Sequence, residues 1–320
     1  MLFEDKNIVA APIVSVIMPT YNHSRFIAQA IDSVLSQKTN FPIELIIGED
    51  CSTDNTRQIC LDYQQKHPTI IRLFLPEENV GFLRNYGQLL KLCRGKYIAI
   101  ISGDDYWCDS TKLQKQYDCL EQKEGYGFVH TLGYELCGDK LTNTTGGHID
   151  KEGDVREIAV YGPLGFASSA FFERELLQYF DTEELIRRGI TMEDYPMNAI
   201  FSHHTKFALI RERMVVYRIL DVSVSHSTSI QKKTNYIIGY HKARKYIKDL
   251  YPDEVPWTYD EIQDSQNYAR LKLYYYTFDF KSVKSLSFVT PQYQTRLLLK
   301  YSKNRLLFYL LSIILRLRKK

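Results

Sequence analysis

Along the first hundred residues, apolar blocks of two kinds alternate. "IVSVIM" (13–18), "IELIIG" (43–48), "IIRLFL" (70–75) and "KYIAII" (96–101) are short, rich in β-branched residues and almost wholly apolar, as strands covered on both faces are. Between them the apolar positions fall three and four apart. Over 24–37 they are Phe26, Ile27, Ala30, Ile31, Val34 and Leu35, which predicts a helix with Ser24 as its cap and Pro19 closing the strand before it. "STDNT" opens a second helix that stops before Pro68, and a third runs over about 81–93, ended by Gly95. The order β-α-β-α-β-α-β predicts a parallel sheet with helices on its faces. Such sheets bind ligands beyond the carboxyl ends of their strands. Here those ends carry the polar clusters "PTYN", "GEDCSTD", "PEENVG" and "SGDD".

From residue 234 the pattern turns helical, over about 234–250, 258–280 and 289–318, with breaks at "YPDEVP" and "SLSFVTPQ". Residues 295–320 carry eight Lys or Arg and no acid, and their apolar run, 306–315, is ten residues long. That is too short to span a bilayer. A basic amphipathic segment of this kind suits a helix lying on anionic lipid. Packing on the first domain or on a second subunit, as in a homodimer, is the alternative. Residues 1–225 are expected to form the α/β domain and 226–320 the helical region.

Composition changes this picture little. A chain of 320 residues with 44% apolar content builds an ample core, and a net charge of +3 suggests no nucleic-acid partner. Six scattered cysteines without a C-x-x-C pair fit neither a zinc site nor a disulfide scaffold, and a reducing cytosol is the simpler reading. "MLFEDKNIVAAP" carries acids and lacks a long apolar core, so no secretory signal is expected.

The chemistry is concentrated where "KYIAII" ends in "SGDD". Adjacent ionised carboxylates, Asp104 and Asp105, repel each other and resist burial. A hard cation such as Mg²⁺ or Mn²⁺ removes the difficulty, taking one or two carboxylates and completing its shell from phosphates and water. The alternative is a turn or helix cap, since a helix starts near Ser110.

"VSVIMPTYNHSRFIAQAIDSVLSQ", "ELIIGEDCSTDNT", "ENVGFLRNYG", "GKYIAIISGDDYWCDSTKLQKQ" and "TMEDYPM" together resemble the ordered motifs of family 2 glycosyltransferases, from about residue 13 to 225. The resemblance implies a GT-A fold, with a Rossmann-like nucleotide-binding half in a mainly parallel sheet. It also implies inverting transfer of a sugar from a nucleotide-diphosphate donor, UDP-sugar favoured, with Mg²⁺ or Mn²⁺. By the same resemblance Pro19, Thr20 and Tyr21 lie along the base, and Tyr21 stacks on it. Asp50 accepts a hydrogen bond from a uracil-type base, with Glu49 where many members have a second Asp. Asp54 reads as a helix cap. Arg84 lies on the diphosphate side. Asp104 lies near the ribose or donor sugar, and Asp105 is the principal metal ligand. Asp194 aligns with the general base, with Glu193 as fallback, and "GFASSAFFERELL" matches a strand and helix on the acceptor side. Arg218, Ser223 and Ser225 match a segment that covers the diphosphate. Leu220 stands where many members have a histidine, so a histidine ligand there is not expected, and His226 reads as a loop residue. His203 and His204 fall on a predicted helix without a metal partner. Trp107 is expected to pack beside Leu113 and Tyr117.

The implied activity is glycosyl transfer to a hydroxyl of a glycan or lipid-linked acceptor in surface polysaccharide biosynthesis, in the cytoplasm at the inner face of the cell membrane. Two rivals stand beside it. A nucleotidyltransferase would want a glycine-rich, Lys/Arg-bearing loop after the first strand, and "PTYNHSR" has no glycine. A non-catalytic, membrane-associated nucleotide-sugar-binding protein would not need Asp104, Asp105 and Asp194 together.

Overall fold

The computed structural model describes residues 2–4, 11–144, 151–220, 229–289 and 291–317. The chain divides into two compact units, Met1–Arg187 with Met192–Ile219, and Arg188–Thr191 with Leu220–Lys320. The boundary expected at 225 falls outside the described residues.

The first unit is α/β. In chain order it runs β1 (Leu2–Phe3), β2 (Val14–Thr20), α1 (Ile27–Leu35), β3 (Ile43–Glu49), α2 (Thr56–Lys66), β4 (Ile71–Phe74), α3 (Phe82–Leu92) and β5 (Tyr97–Ile100). There follow β6 (Tyr106–Trp107), α4 (Lys112–Gln122), β7 (Tyr126–Cys137), β8 (Lys140–Thr144), α5 (Arg156–Ala159), β9 (Phe171–Glu173), α6 (Thr182–Arg188, whose last residue belongs to the second unit), α7 (Asp194–Phe201) and β10 (Lys206–Arg218). The sheet order is β1-β4-β3-β2-β5-β9-β7-β10-β6, with β8 paired to β7. β4, β3, β2 and β5 form the expected parallel block. The sheet is not parallel throughout: β9 enters antiparallel between β5 and β7, and β6 pairs antiparallel with β10.

The apolar runs become strands because both faces are covered. Val14, Val16, Met18, Leu45 and Ile47 are fully buried in one cluster with Ile27, Ala30, Ile31 and Val34 of α1. Each such side chain contributes about 1.5–3 kcal/mol when withdrawn from water. Two local expectations change. β2 continues through Pro19, opposite Gly48, to Thr20, since a proline at the last positions of a strand forfeits only one ladder bond. Helix α1 begins at Ile27, and the Ser24 amide donates to Asp54 Oδ2 at 3.1 Å instead of Ser24 capping the helix.

The second unit contains α8 (Ile230–Leu250), α9 (Tyr259–Thr277), α10 (Phe280–Val283), α11 (Tyr293–Tyr301) and α12 (Arg305–Leu317). Thr258 and Glu261 form a reciprocal capping box at the start of α9. The single helix expected over 289–318 is two helices. Asn304 Oδ1 accepts from the Leu306 and Leu307 amides at 2.9 and 3.3 Å, so it ends one helix by capping the next. Phe308 of α12 is fully buried against Tyr275, ring centroids 4.4 Å apart. Leu306, Leu310, Ile313, Ile314 and Leu317 on the same helix are exposed. Among the described residues, no helix is long and apolar enough to cross a membrane.

Candidate active site

The loops after β2 and β3 are stitched together at the carboxyl edge of the sheet. Asn22 has φ 55°, a left-handed conformation that asparagine tolerates better than most residues. Its side-chain oxygen accepts from the Thr53 amide at 2.8 Å, its own amide donates to Ser52 Oγ at 2.8 Å, and the His23 amide donates to Thr56 Oγ1 at 2.8 Å. The Asp50 amide donates to the Thr20 carbonyl at 3.0 Å. Asp54 Oδ1 accepts from the Thr56 amide at the start of α2. Burial would raise the Asp54 pKa, but hydrogen bonds from Thr56 and Ser24 outweigh it and bring it to about 2.

Asp50 is buried, and its two oxygens accept from the Val80 and Gly81 amides at 2.8 and 3.0 Å. It therefore anchors the turn into α3. Burial raises its pKa above the ordinary aspartate value, an effect those two amides oppose without cancelling. Glu49 is also buried, and accepts from the Ser52 amide and from Arg57. Tyr21 stands 41% exposed at the rim, as a ring available for stacking would. Arg84 is exposed on α3 and makes no ion pair among the described residues. Asn85, one residue on, is buried and donates to the Gly48 carbonyl at 2.7 Å.

β5 ends in the acid pair. Gly103 is needed there because a Cβ at that position would lie 2.4 Å from Thr20 Oγ1. Its amide donates to the Pro19 carbonyl at 3.1 Å, which lays the "SGDD" turn against the end of β2. The two acids then part. Asp104 is half-buried: Oδ1 accepts from Ser102 Oγ at 2.5 Å, and Oδ2 lies 3.8 Å from His23 Nε2. Asp105 is buried: Oδ2 accepts from Ser168 Oγ at 2.5 Å and Oδ1 from the Arg218 amide at 3.0 Å. Burial, then the charge of Asp104, pushes the Asp105 pKa well above the ordinary carboxylate value.

Arg218 is buried at the end of β10. Its guanidinium donates to the Asp104 carbonyl and to Gln29 Oε1, between the rings of Phe26 and Tyr106 at 4.9 and 4.8 Å. Its side chain thus braces the acid pair from within the protein, and two of its donors are engaged there rather than turned to an outside anion. Ser223, Ser225 and His226 lie outside the described residues.

Glu193 and Asp194 open α7. Asp194 Oδ1 accepts from the Tyr195 amide, and the Asp194 carbonyl accepts from Asn198 Nδ2 at 2.5 Å. Burial, then the charge of Asp194, pushes the Glu193 pKa up to about 8, and burial also raises that of Asp194. Burial and mutual repulsion thus favour a single proton on the pair over two charges side by side. His203 and His204 follow α7 in a turn, not on the helix. His204 stacks on Tyr179, and His203 Nδ1 meets the Ala199 carbonyl at 2.7 Å. "GFASSAFFERELL" folds as a 3-10 turn (Ala167–Ser169), β9 and a second 3-10 stretch (Arg174–Tyr179), so the expected helix is a tighter coil.

Thr20, Asp50, Asp104, Asp105 and Arg218 are thus joined through direct hydrogen bonds of their own loops and strand ends, whereas Tyr21 and Arg84 stand at the exposed rim. Three residues of the site escaped the sequence reading. His23 beside Asp104 sits in "PTYNHSR", where its place after the first strand was the only signal. Ser168 lay within the quoted "GFASSAFFERELL", and Gln29 had no signal at all. Trp107 packs as expected with Leu113 and Tyr117, and its indole also donates to the Ser168 carbonyl at 2.9 Å.

Residues 15–201, more than half of the chain, match glycosyl transferase family 2, and the chain belongs to that family. The minor teichoic acid biosynthesis protein GgaB of Bacillus subtilis is 28% identical over 253 residues, covering 74% of this chain and 26% of that protein. The putative teichuronic acid biosynthesis glycosyltransferase TuaG of the same organism is 37% identical over 126 residues, covering 39% and 48%. The chain spans less than half the length of these curated relatives. Among solved structures, S. aureus TarS 1–349 in complex with UDP has a TM-score of 0.53 at 16% identity, covering 96% of this chain and 92% of that one. The mannosyltransferase PcManGT of Pyrobaculum calidifontis, in complex with GDP-Man and Mn²⁺, has a TM-score of 0.56 at 16% identity, covering 97% and 88%. At such identities the likeness is one of fold, and it is the GT-A fold that the motifs implied.

Proposed function

We propose that the chain is an inverting glycosyltransferase. It would move a sugar from a nucleotide-diphosphate donor, a UDP-sugar by preference, to a hydroxyl of a glycan or lipid-linked acceptor in surface polysaccharide biosynthesis. The observation that carries this reading is the division of labour at the end of β5, where a buried Asp105 and a half-buried Asp104 meet at one turn. The donor set suits a hard divalent cation. Each Asp105 oxygen accepts one hydrogen bond and keeps a lone pair, and burial beside a second acid disfavours the ionised pair unless positive charge is supplied. Among the described residues no cluster of three or more His, Cys, Asp or Glu side chains could hold a metal ion. Asp104 and Asp105 would hold Mg²⁺ or Mn²⁺ jointly with the donor's diphosphate. Such a cation, when bound, stabilises the charge that grows on the departing diphosphate.

The remaining chemistry belongs to the chain. Tyr21 offers a ring for the base, and the turn anchored by Asp50 lines its edge. The acceptor oxygen forms its bond to the anomeric carbon as the bond from that carbon to the diphosphate oxygen breaks. The acceptor proton passes to Asp194, whose raised pKa makes it a better base than an ordinary surface carboxylate. Glu193, the other member of the pair, is the fallback. GgaB and TuaG, with their teichoic and teichuronic acid names, and TarS with its bound UDP support the polymer and donor classes. The test is a nucleotide-sugar panel assayed with Mg²⁺, Mn²⁺ and EDTA. Metal-dependent release of the nucleoside diphosphate with sugar transfer is expected. Full activity in EDTA overturns the cation, and formation of a nucleotide-sugar from a nucleoside triphosphate favours a nucleotidyltransferase.

A second proposal concerns placement. The exposed leucine and isoleucine side chains of α12 share their stretch of sequence with Lys300, Lys303, Arg305 and Arg316, which suits an anionic bilayer surface at the inner face of the cell membrane. Flotation with and without anionic lipid tests it: binding to anionic vesicles is expected. Equal absence of binding to both favours a protein partner or a homodimer.

A further inference from the structure

A buried run of polar groups connects the acid pair to the helix that opens with Asp194. Ser168 Oγ donates to Asp105 Oδ2 at 2.5 Å. Its neighbour Ser169, in the same 3-10 turn, places Oγ 2.9 Å from His130 Nδ1. His130 Nε2 lies 2.9 Å from Asn198 Oδ1, and Asn198 Nδ2 reaches the Asp194 carbonyl at 2.5 Å. His130 is 2% exposed, and Ser168, Ser169 and Asn198 are equally inaccessible.

The chain of donors and acceptors has a direction. A carbonyl only accepts, so the Asn198 NH₂ must face Asp194, and Asn198 Oδ1 must face His130. Nε2 therefore carries a hydrogen. The ring is neutral, because burial, helped by the positive charge of Lys112, lowers its pKa to about 4, against the opposing bond to Asn198. Nδ1 then accepts from the Ser169 hydroxyl, whose hydrogen is shared with the Phe166 carbonyl at 2.7 Å. The turn itself is held from its other side, where Gln116 Nε2 donates to the Ser169 carbonyl at 2.8 Å and the Trp107 indole to the Ser168 carbonyl. His130 thus sits on β7, between β9 and β10 in the sheet, and joins two pieces that are remote in sequence.

We propose that His130 is a positioning residue that sets the first turn of α7, and with it the Asp194 carboxylate, relative to the turn that holds Asp105. It touches neither donor nor acceptor. Its work is to keep the base in line with the anomeric carbon, where an error of about 1 Å costs about a hundredfold in rate. This proposal rests on the roles given above to Asp105 and Asp194.

The test uses two polar variants of similar character and different reach. In His130→Gln the side-chain amide extends to the Nε2 position and still meets Asn198. In His130→Asn it stops near Nδ1, meets Ser169 and leaves Asn198 unpaired. His130→Asn is expected to lower kcat about tenfold to a hundredfold, with KM for the nucleotide-sugar and Kd for the nucleoside diphosphate within about threefold. His130→Gln is expected to recover most of kcat. A purely structural role would move both variants together with thermal stability, so Tm is measured on each. Equal kcat in all three proteins overturns the proposal, as does a loss in His130→Asn that appears in nucleotide affinity instead of turnover. Should His130→Asn fail to fold, Ser169→Ala breaks the other end, and a kcat there equal to that of the unaltered chain overturns the proposal in the same way. The underlying reading fails separately: Asp105→Asn and Asp194→Asn would then keep their turnover whatever His130 does.

Discussion

Asp105, which is buried, and Asp194, which is half-buried, both have raised pKa values, yet replacing each has a different consequence. Asp105→Asn keeps an oxygen for the Arg218 amide and turns its NH₂ towards Ser168, whose hydroxyl can accept, so the fold survives, but an amide is a poor ligand for a hard cation. Turnover should fall about a hundredfold or more, since groups merely supporting a metal ligand already cost about ten- to a hundredfold. Metal titration of donor turnover in the variant checks this. Asp194→Asn should leave nucleoside-diphosphate binding nearly intact by calorimetry while turnover falls about 10²–10⁴-fold, the usual worth of a positioned base. Because the base must be ionised, kcat should decline on acidification with a midpoint above the ordinary aspartate value of about 3.9. Glu193 gives the opposite signature, in stability. Its folded pKa of about 8 lies above its unfolded value, so its contribution is fully present below about 4.3 and is lost as pH rises through 8. Glu193→Gln should therefore raise Tm relative to the unaltered chain at pH 8.5, by about 2–4 °C for each kcal/mol of relieved burial, with the difference shrinking towards pH 5.

Elements were legible where their cause is local. The four parallel strands announce themselves as β-branched runs, and α1, α2 and α3 fall between them with ends displaced by a few residues. What was not legible depends on partners distant in the chain. β9 is three residues long and β6 two, too short for any periodicity, and each is a strand only because β5, β7 or β10 lies beside it. The same holds in the site. Asp104, Asp105 and Asp194 could be marked from short motifs, whereas the His130–Asn198 bridge spans 68 residues and the Arg218–Asp105 bond 113. Asn304 is a local signal too, an asparagine capping the helix that follows it. Asn304→Ala should cost about 1 kcal/mol, the usual worth of a cap. It should appear as faster amide exchange confined to α12, with transfer to a soluble acceptor unchanged.

For the whole molecule, the exposed face of α12 makes a prediction that separates two forces. Each basic residue near an anionic surface contributes about 1 kcal/mol, screened by salt, while buried leucine and isoleucine side chains add a part that salt leaves in place. Salt alone should release only part of the chain from anionic vesicles. Deletion after Pro291 should release nearly all of it, as sedimentation with the vesicles would show. The sheet adds a matter of timing. Because β9 enters between β5 and β7, a chain leaving the ribosome can pair β4, β3, β2 and β5 early, but β5 keeps an unpaired edge until residue 171 arrives. Asp105 receives Ser168 just before that point and the Arg218 amide only at the end of β10. The parallel half of the sheet can thus be assembled well before the carboxylate pair beside it is braced, and a chain stalled partway would carry a finished scaffold around an unfinished pair of acids.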